Sequence, residues 1–230
     1  MDDAETRNNF SKANPFIRGN KAIAKVFTEN AHHHVLLQKG AGFCPDTNDP
    51  MIGYITRGIL KISIANADGE EKLIWFLDEN SVISSFRKCF YKEAVAIKPT
   101  EILIIKKDIF IDFMMKDRQC LDYYLEQLYT KIEYCMDILL IQDKKSSKSK
   151  VYTLLQQLAK AYGTNLTDNE VYIKKILTGT EMSSITGVHR SNIARYISEL
   201  EHMNIVKKEK NSIIIQKPQL LDKLIEAEER

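Results

Sequence analysis

Arg190 and Arg195 stand five residues apart in the stretch His189-Arg-Ser-Asn-Ile-Ala-Arg-Tyr-Ile-Ser198, which holds no carboxylate before Glu199. A guanidinium is a planar fork of donors. In a DNA major groove it can bond guanine O6 and N7 together, which is worth about 1–3 kcal/mol of discrimination per base. On a helix, Val188, Ile193, Tyr196, Ile197 and Leu200 make one apolar stripe and leave His189, Arg190, Ser191, Asn192, Ala194, Arg195 and Ser198 facing outward. Base reading therefore falls to Arg190 and Arg195. Ser191 and Asn192 suit either a base or a phosphate, and His189, Thr178 and Thr180 suit the phosphate backbone.

Such a face needs a rigid support, and the preceding residues supply one. Gly179 to Ser198 has the pattern of two short helices crossing at a sharp turn: Met182 and Ile185 face inward, Ser183 is small where the second helix passes, and Gly187 accommodates a left-handed turn. Two apolar β runs follow, Ile205-Val206 and Ile213-Ile214-Ile215, around a polar turn carrying Lys207, Lys208 and Lys210. Alone this is an ordinary solvated hairpin. After a helix-turn-helix it reads as the wing of a winged helix, with lysines placed for phosphates. The charge agrees: the formal net charge of +2 divides into −3 over residues 1–143, +7 over 144–217 and −2 over the remainder. A basic module on a mildly acidic body is the footprint of a polyanion binder.

The N-terminal half follows a period of two. Leu60, Ile62 and Ile64 alternate with Lys61 and Ser63, Asp68-Gly69 marks a hairpin, and Glu71 to Leu77 returns. Turns every 8 to 12 residues from Val35 to Lys107 predict an antiparallel barrel or sandwich. Asp108 is expected to N-cap a short helix, Ile109 to Lys116. A long helix then begins near Arg118, in which Leu121, Leu125, Leu128, Ile132, Cys135, Leu139 and Gln142 recur at spacings of four and three, the seam of a short coiled coil. Extended to Ser146 it has about 29 residues and a length of about 43 Å. Its other side, with Tyr124, Tyr129, Met136, Ile138 and Leu140, needs cover from the β domain. Lys144 to Lys150 reads as a basic, serine-rich hinge, and Val151 to Tyr162 as an amphipathic helix stopped by Gly163. The fold class is α+β.

Other chemistries find little support. Cys44, Cys89, Cys120 and Cys135 form no C-x-x-C pair, so the four read as reduced thiols. His32-His33-His34 precedes a strand, where neighbours point to opposite faces, so the run reads as surface and no metal site is expected. No Ser-His-Asp, H-E-x-x-H, P-loop or G-x-G-x-x-G context is present, so an enzyme has no catalytic residues to use. No cofactor is called for. No apolar run approaches a membrane span and the N-terminus lacks a signal sequence, giving a cytoplasmic protein as the expectation.

A β-roll, a long seam-bearing helix and a winged helix together resemble the cyclic-AMP receptor / fumarate-nitrate regulator (Crp/Fnr) family of bacterial transcription factors, from about residue 20 to residue 218. The most specific match is Glu181-Met-Ser-Ser-Ile-Thr-Gly-Val-His-Arg-Ser-Asn-Ile-Ala-Arg195. The resemblance places Arg190 and Arg195 on base-reading positions and puts Ser191 where a glutamate is common. Val82 to Ala94 lacks the Gly-Glu and Arg-Ser/Thr of cyclic-nucleotide binders, and no cysteine precedes Cys44, so neither cyclic AMP nor an iron–sulfur cluster is expected. The chain is more similar to the halogenated-aromatic sensors of reductive dehalogenation, through Asp68-Gly-Glu-Glu-Lys-Leu73, Asn80-Ser-Val-Ile83, Lys98-Pro-Thr100, Thr130-Lys131 and Ile185-Thr-Gly-Val-His189.

That likeness implies an effector pocket with Lys131 as counter-charge to a phenolate, Trp75 in place of a pocket tyrosine, Ser85 in place of a lysine, Leu128 in place of a tyrosine, and Ser84 beside them. Read from the residues alone, Lys131 is either a rim charge or a ligand partner, and Trp75 is core or pocket. The implied protein is a homodimer with a sensing domain (1–117), a dimerisation helix (118–146) and a DNA-binding domain (147–230). Its partners are a palindromic operator, a small effector and, for an activator, RNA polymerase, with no membrane. The alternative is a ligand-independent regulator, or one gated by oxidation of Cys89 and Cys135.

Overall fold

A computed structural model describes residues 14–43, 51–65, 71–84, 91–141, 146–167, 169–174 and 177–228. The chain divides into two compact units, Met1–Asp137 and Ile138–Arg230.

The first unit is a roll of two sheets. One has the order β1 (Phe16–Ile17), β6 (Glu71–Leu77), β5 (Leu60–Ala65), β8 (Tyr91–Ala96), β3 (Gly42–Phe43); the other runs β2 (His33–Leu37), β9 (Thr100–Lys106), β4 (Met51–Arg57), β7 (Val82–Ser84). All these pairings are antiparallel except β1 with β6. The Asp68-Gly69 turn lies outside the described residues, but the strands on either side of it pair from Leu60↔Leu77 to Ala65↔Glu71. A bulge between Ile62 and Ser63 breaks the simple alternation there.

Alternation along the second sheet sorts its side chains into two cores. Ile55, Ile83, Ile102 and Ile104 pack between the sheets with Leu60, Ile62, Leu77 and Ala94. Ile52, Tyr54, Val82 and Ile105 face the helices. Those helices are α1 (Ala24–Asn30), α2 (Lys107–Lys116) and α3 (Arg118–Ile141). Phe27, fully buried, stacks on Tyr54 at 5.0 Å and meets Phe110 at 5.8 Å, while Phe110 presents its edge to Tyr124 at 5.0 Å. Truncating Phe27 leaves a void that this rigid aromatic group cannot close. Phe27→Ala is expected to cost about 3–5 kcal/mol, read from the urea midpoint at constant m.

Three sequence expectations need correction. Asp108 is not the cap of α2: that helix begins one residue earlier, at Lys107, after an extended Lys106, so Asp108 lies inside the first turn and acts on the helix dipole instead. The true capping aspartate is Asp117, whose Oδ1 accepts from Cys120 N at 3.0 Å at the start of α3, a bond that holds its carboxyl below the usual range. Next, the face of α3 turned to the roll is Cys120, Tyr124, Gln127, Lys131 and Tyr134, all buried or half-buried. Tyr129 and Met136, expected under the β domain, are 62% and 58% exposed, and with Leu125 (38%) and Ile132 (51%) they form an uncovered apolar stripe. Leu121, Leu128 and Cys135 are half-buried at its border, and Gln142 lies outside the described residues. Finally, the expected hinge is half helix: Ser146 Oγ accepts from Ser149 N at 3.0 Å and caps α4 (Ser147–Tyr162).

The second unit packs Val151, Leu154, Leu155 and Leu158 of α4 inward. A four-stranded sheet follows in the order β10 (Gly163–Thr167), β11 (Glu170–Lys174), β13 (Ser212–Ile215), β12 (Val206–Lys208). Helices α5 (Gly179–Thr186), α6 (Arg190–His202) and α7 (Pro218–Glu228) complete it. No helix among the described residues is long and apolar enough to cross a membrane.

Candidate nucleic-acid interface and effector site

Helix α5 opens with a full capping box: Thr178 Oγ1 accepts from Glu181 N at 3.2 Å, and Glu181 Oε2 accepts from Thr178 N at 2.7 Å. Thr178 also donates its hydroxyl to Glu181 at 2.8 Å, so its side chain is committed to the cap, while Thr180 stays exposed. Gly187 ends α5 at φ 68°, the left-handed conformation the turn demands, and Val188 is buried beneath it. His189 then caps α6. Its Nδ1 accepts from Ser191 N at 3.4 Å and lies 2.8 Å from Ser191 Oγ.

Ile193, Tyr196, Ile197 and Leu200 are buried, and His189, Arg190, Ser191, Ala194, Arg195 and Ser198 are exposed, with Asn192 half-buried. The two arginines differ. Arg190 has no ion-pair partner among the described residues. Arg195 lies over the Tyr196 ring at 5.0 Å, donates to Tyr196 Oη at 3.3 Å and approaches Glu199 at 3.8 Å. Glu199 also pairs with Lys148 at 2.8 Å, a bond that raises the lysine's pKa. Wing strands β12 and β13 pair in the register Val206↔Ile215 to Lys208↔Ile213. Lys207 is tied to Glu209 at 3.3 Å, Lys208 N donates to Glu201 at 2.9 Å, and the Lys208 and Lys210 side chains are exposed.

In the first unit, the effector candidates fall in two places. Ser84, Leu128 and Lys131 gather where β7 meets the buried face of α3: Lys131 Nζ donates to Val82 O at 3.2 Å, Leu128 packs on the core of Val82 and Tyr124, and Ser84 hydrogen-bonds the Tyr124 hydroxyl. Burial raises the Tyr124 pKa against that hydrogen bond, so the phenol is neutral. Trp75 packs instead with the between-sheet core, and its indole N–H is buried with no acceptor among the described residues. Ser85 lies outside them.

Gln127 was missed. It is 3% exposed and its Oε1 accepts from Val82 N at 3.0 Å. The signal was available: 120, 124, 127, 131 and 134 repeat at spacings of four and three, with glutamine and lysine inside the repeat.

Burial pushes the thiols of both Cys120 and Cys135 up. Cys89 lies outside the described residues. His34 pairs with Glu101 at 3.3 Å, and His32 contacts Asn30 O.

Solved structures of the Crp/Fnr type share this fold, a β-roll and a winged helix-turn-helix. CprK complexed with OCPA is 20% identical over 93% of this chain and 99% of that one, with a TM-score of 0.73. A CooA mutant from Carboxydothermus hydrogenoformans is 14% identical over 87% and 90%, also at 0.73. FixK2 from Bradyrhizobium japonicum is 15% identical over 84% and 96%, at 0.69. These are likenesses of fold. No family model and no curated protein matches the chain.

Proposed function

We propose that the protein is a homodimeric DNA-binding transcription regulator of the Crp/Fnr type, reading a palindromic operator under control of a small aromatic effector. The observation that carries this reading is the exposed, carboxylate-free N-terminal half of α6, with Arg190 and Arg195 on a helix capped by His189 and fixed by Gly187. Two such helices about 34 Å apart meet successive major grooves. The Leu125, Tyr129, Ile132 and Met136 stripe, at spacings of four, three and four, supplies the twofold seam. Sensing belongs to residues 1–117, dimerisation to 118–146 and DNA reading to 147–230, in a cytoplasmic protein that contacts RNA polymerase where it activates.

Lys131, Ser84 and Leu128 suit a phenolate or aromatic carboxylate, as the OCPA complex of CprK suggests by analogy. The effector shifts an existing equilibrium of DNA-reading orientations and thereby sets operator affinity. Selection from a randomised duplex pool tests the reading. An inverted repeat with half-sites one helical turn apart is the expected product, and enrichment of no sequence, or of a single unrepeated site, rejects it.

A further inference from the structure

Beside the groups just assigned lies a buried donor that nothing in the fold requires. Val82 belongs to β7, the edge strand of its sheet, and its N–H and C=O point away from β4. In an extended strand both groups of one residue face the same side. Gln127 Oε1 takes the N–H at 3.0 Å and Lys131 Nζ takes the C=O at 3.2 Å. The two side chains are one helical turn apart on α3, so they arrive together on that side.

The backbone donor fixes the orientation of the glutamine amide. Rotating it by 180° would set NH2 against N–H, so the oxygen must face Val82 and the NH2 must face away. That NH2 is buried and has no hydrogen-bond partner among the described residues. Buried donors are almost always satisfied, and one left open beside a cationic lysine is suited to an incoming acceptor.

Resting on the effector reading above, we infer that Gln127 is itself an effector-binding residue. Its amide NH2 and the Lys131 ammonium form a paired-donor seat for an anionic oxygen, phenolate or carboxylate, of an aromatic molecule. Both groups are donors only toward the ligand, which excludes a cation or a donor-rich ligand. The Tyr124 ring and Leu128 beside them offer an apolar wall for the remainder. The amide supplies the directional bond and the ammonium the charge, so the pair prefers an ionised oxygen to a neutral one.

The test uses the full-length protein and follows the fluorescence of its single tryptophan, Trp75, together with the thermal midpoint. The probes are o-chlorophenolacetic acid, named in another solved CprK complex, its methyl ester, its phenol methyl ether and the doubly methylated ether-ester, which separate a carboxylate from a phenolate as the seated group. Gln127→Glu keeps an acceptor for Val82 N but replaces the open donor with a negative oxygen. It is expected to fold like the wild type and to bind at least about tenfold more weakly, with Lys131→Met weakened similarly. Gln127→Met, uncharged and of similar volume, serves the same comparison if the carboxylate disturbs folding. Binding abolished by Lys131→Met but unchanged in a folded Gln127 variant overturns the role of Gln127 and leaves the effector reading intact. A wild-type protein that binds the doubly methylated ether-ester, in which neither oxygen can ionise, as well as the parent acid overturns the anion seat, and one that binds none of these molecules overturns the aromatic effector along with it.

Discussion

Arg190→Ala is expected to weaken binding to the selected operator by about 1–3 kcal/mol per half-site and to flatten base preference at one position of each half-site. The guanidinium is exposed, without an ion-pair partner among the described residues, and stands in the first turn of a capped helix, so no described side chain competes with a guanine for it. Lys208→Ala provides the contrast. Its ammonium is exposed on the wing, where the proposed partner is a phosphate and not a base edge, so the substitution should weaken all duplexes alike and lower the salt slope by about one. Fluorescence anisotropy against the selected duplex and a scrambled one, each over a range of salt, separates the two. If both variants lose the same affinity for both duplexes, Arg190 is not a base reader.

Ile132→Glu is expected to convert the proposed dimer to monomers. Ile132 sits mid-stripe between Tyr129 and Met136 and is 51% exposed in the single chain. Burying the exposed half of two such side chains across a twofold axis stabilises association by about 1.5–3 kcal/mol, and the substitution also places two carboxylates face to face. A loss of 3 kcal/mol weakens association by about two orders of magnitude. Sedimentation velocity at micromolar protein should show the monomer, with operator affinity falling in parallel. A variant that sediments as the wild type does would place the seam elsewhere.

The features most legible in the sequence were those fixed by local chemistry. Gly187, the inward Met182 and the stripe from Ile193 to Leu200 specified the helix-turn-helix because each depends on backbone conformation or on a period of 3.6 within twenty residues. The β-roll was legible from its alternation and turns. The face of α3 was harder to read. Its apolar residues run almost all round, so two registers fit the period, and only packing against the roll shows that Tyr124 is covered while Tyr129 is not.

Asp108 and Asp117 show a similar ambiguity. Both are aspartates beside a helix start, and the break at Asp117 between α2 and α3 decides which one caps. The β10–β11 hairpin escaped notice because Gly163 reads as a helix stop, while its pairing with β13 spans some forty residues. Gln127 is hard to single out for the opposite reason: a lone glutamine among apolar neighbours signals nothing until its place in the repeat is set against an open strand edge.

That edge has a bearing on how the protein behaves when crowded. A bare outermost strand offers its peptide groups to any passing chain and can seed self-templating, sheet-by-sheet polymerisation. Here both outward groups of Val82 are taken by side chains of the molecule's own long helix. The helix therefore serves as a guard rail as well as a strut, and a variant that peels it from the roll should clump before it unfolds.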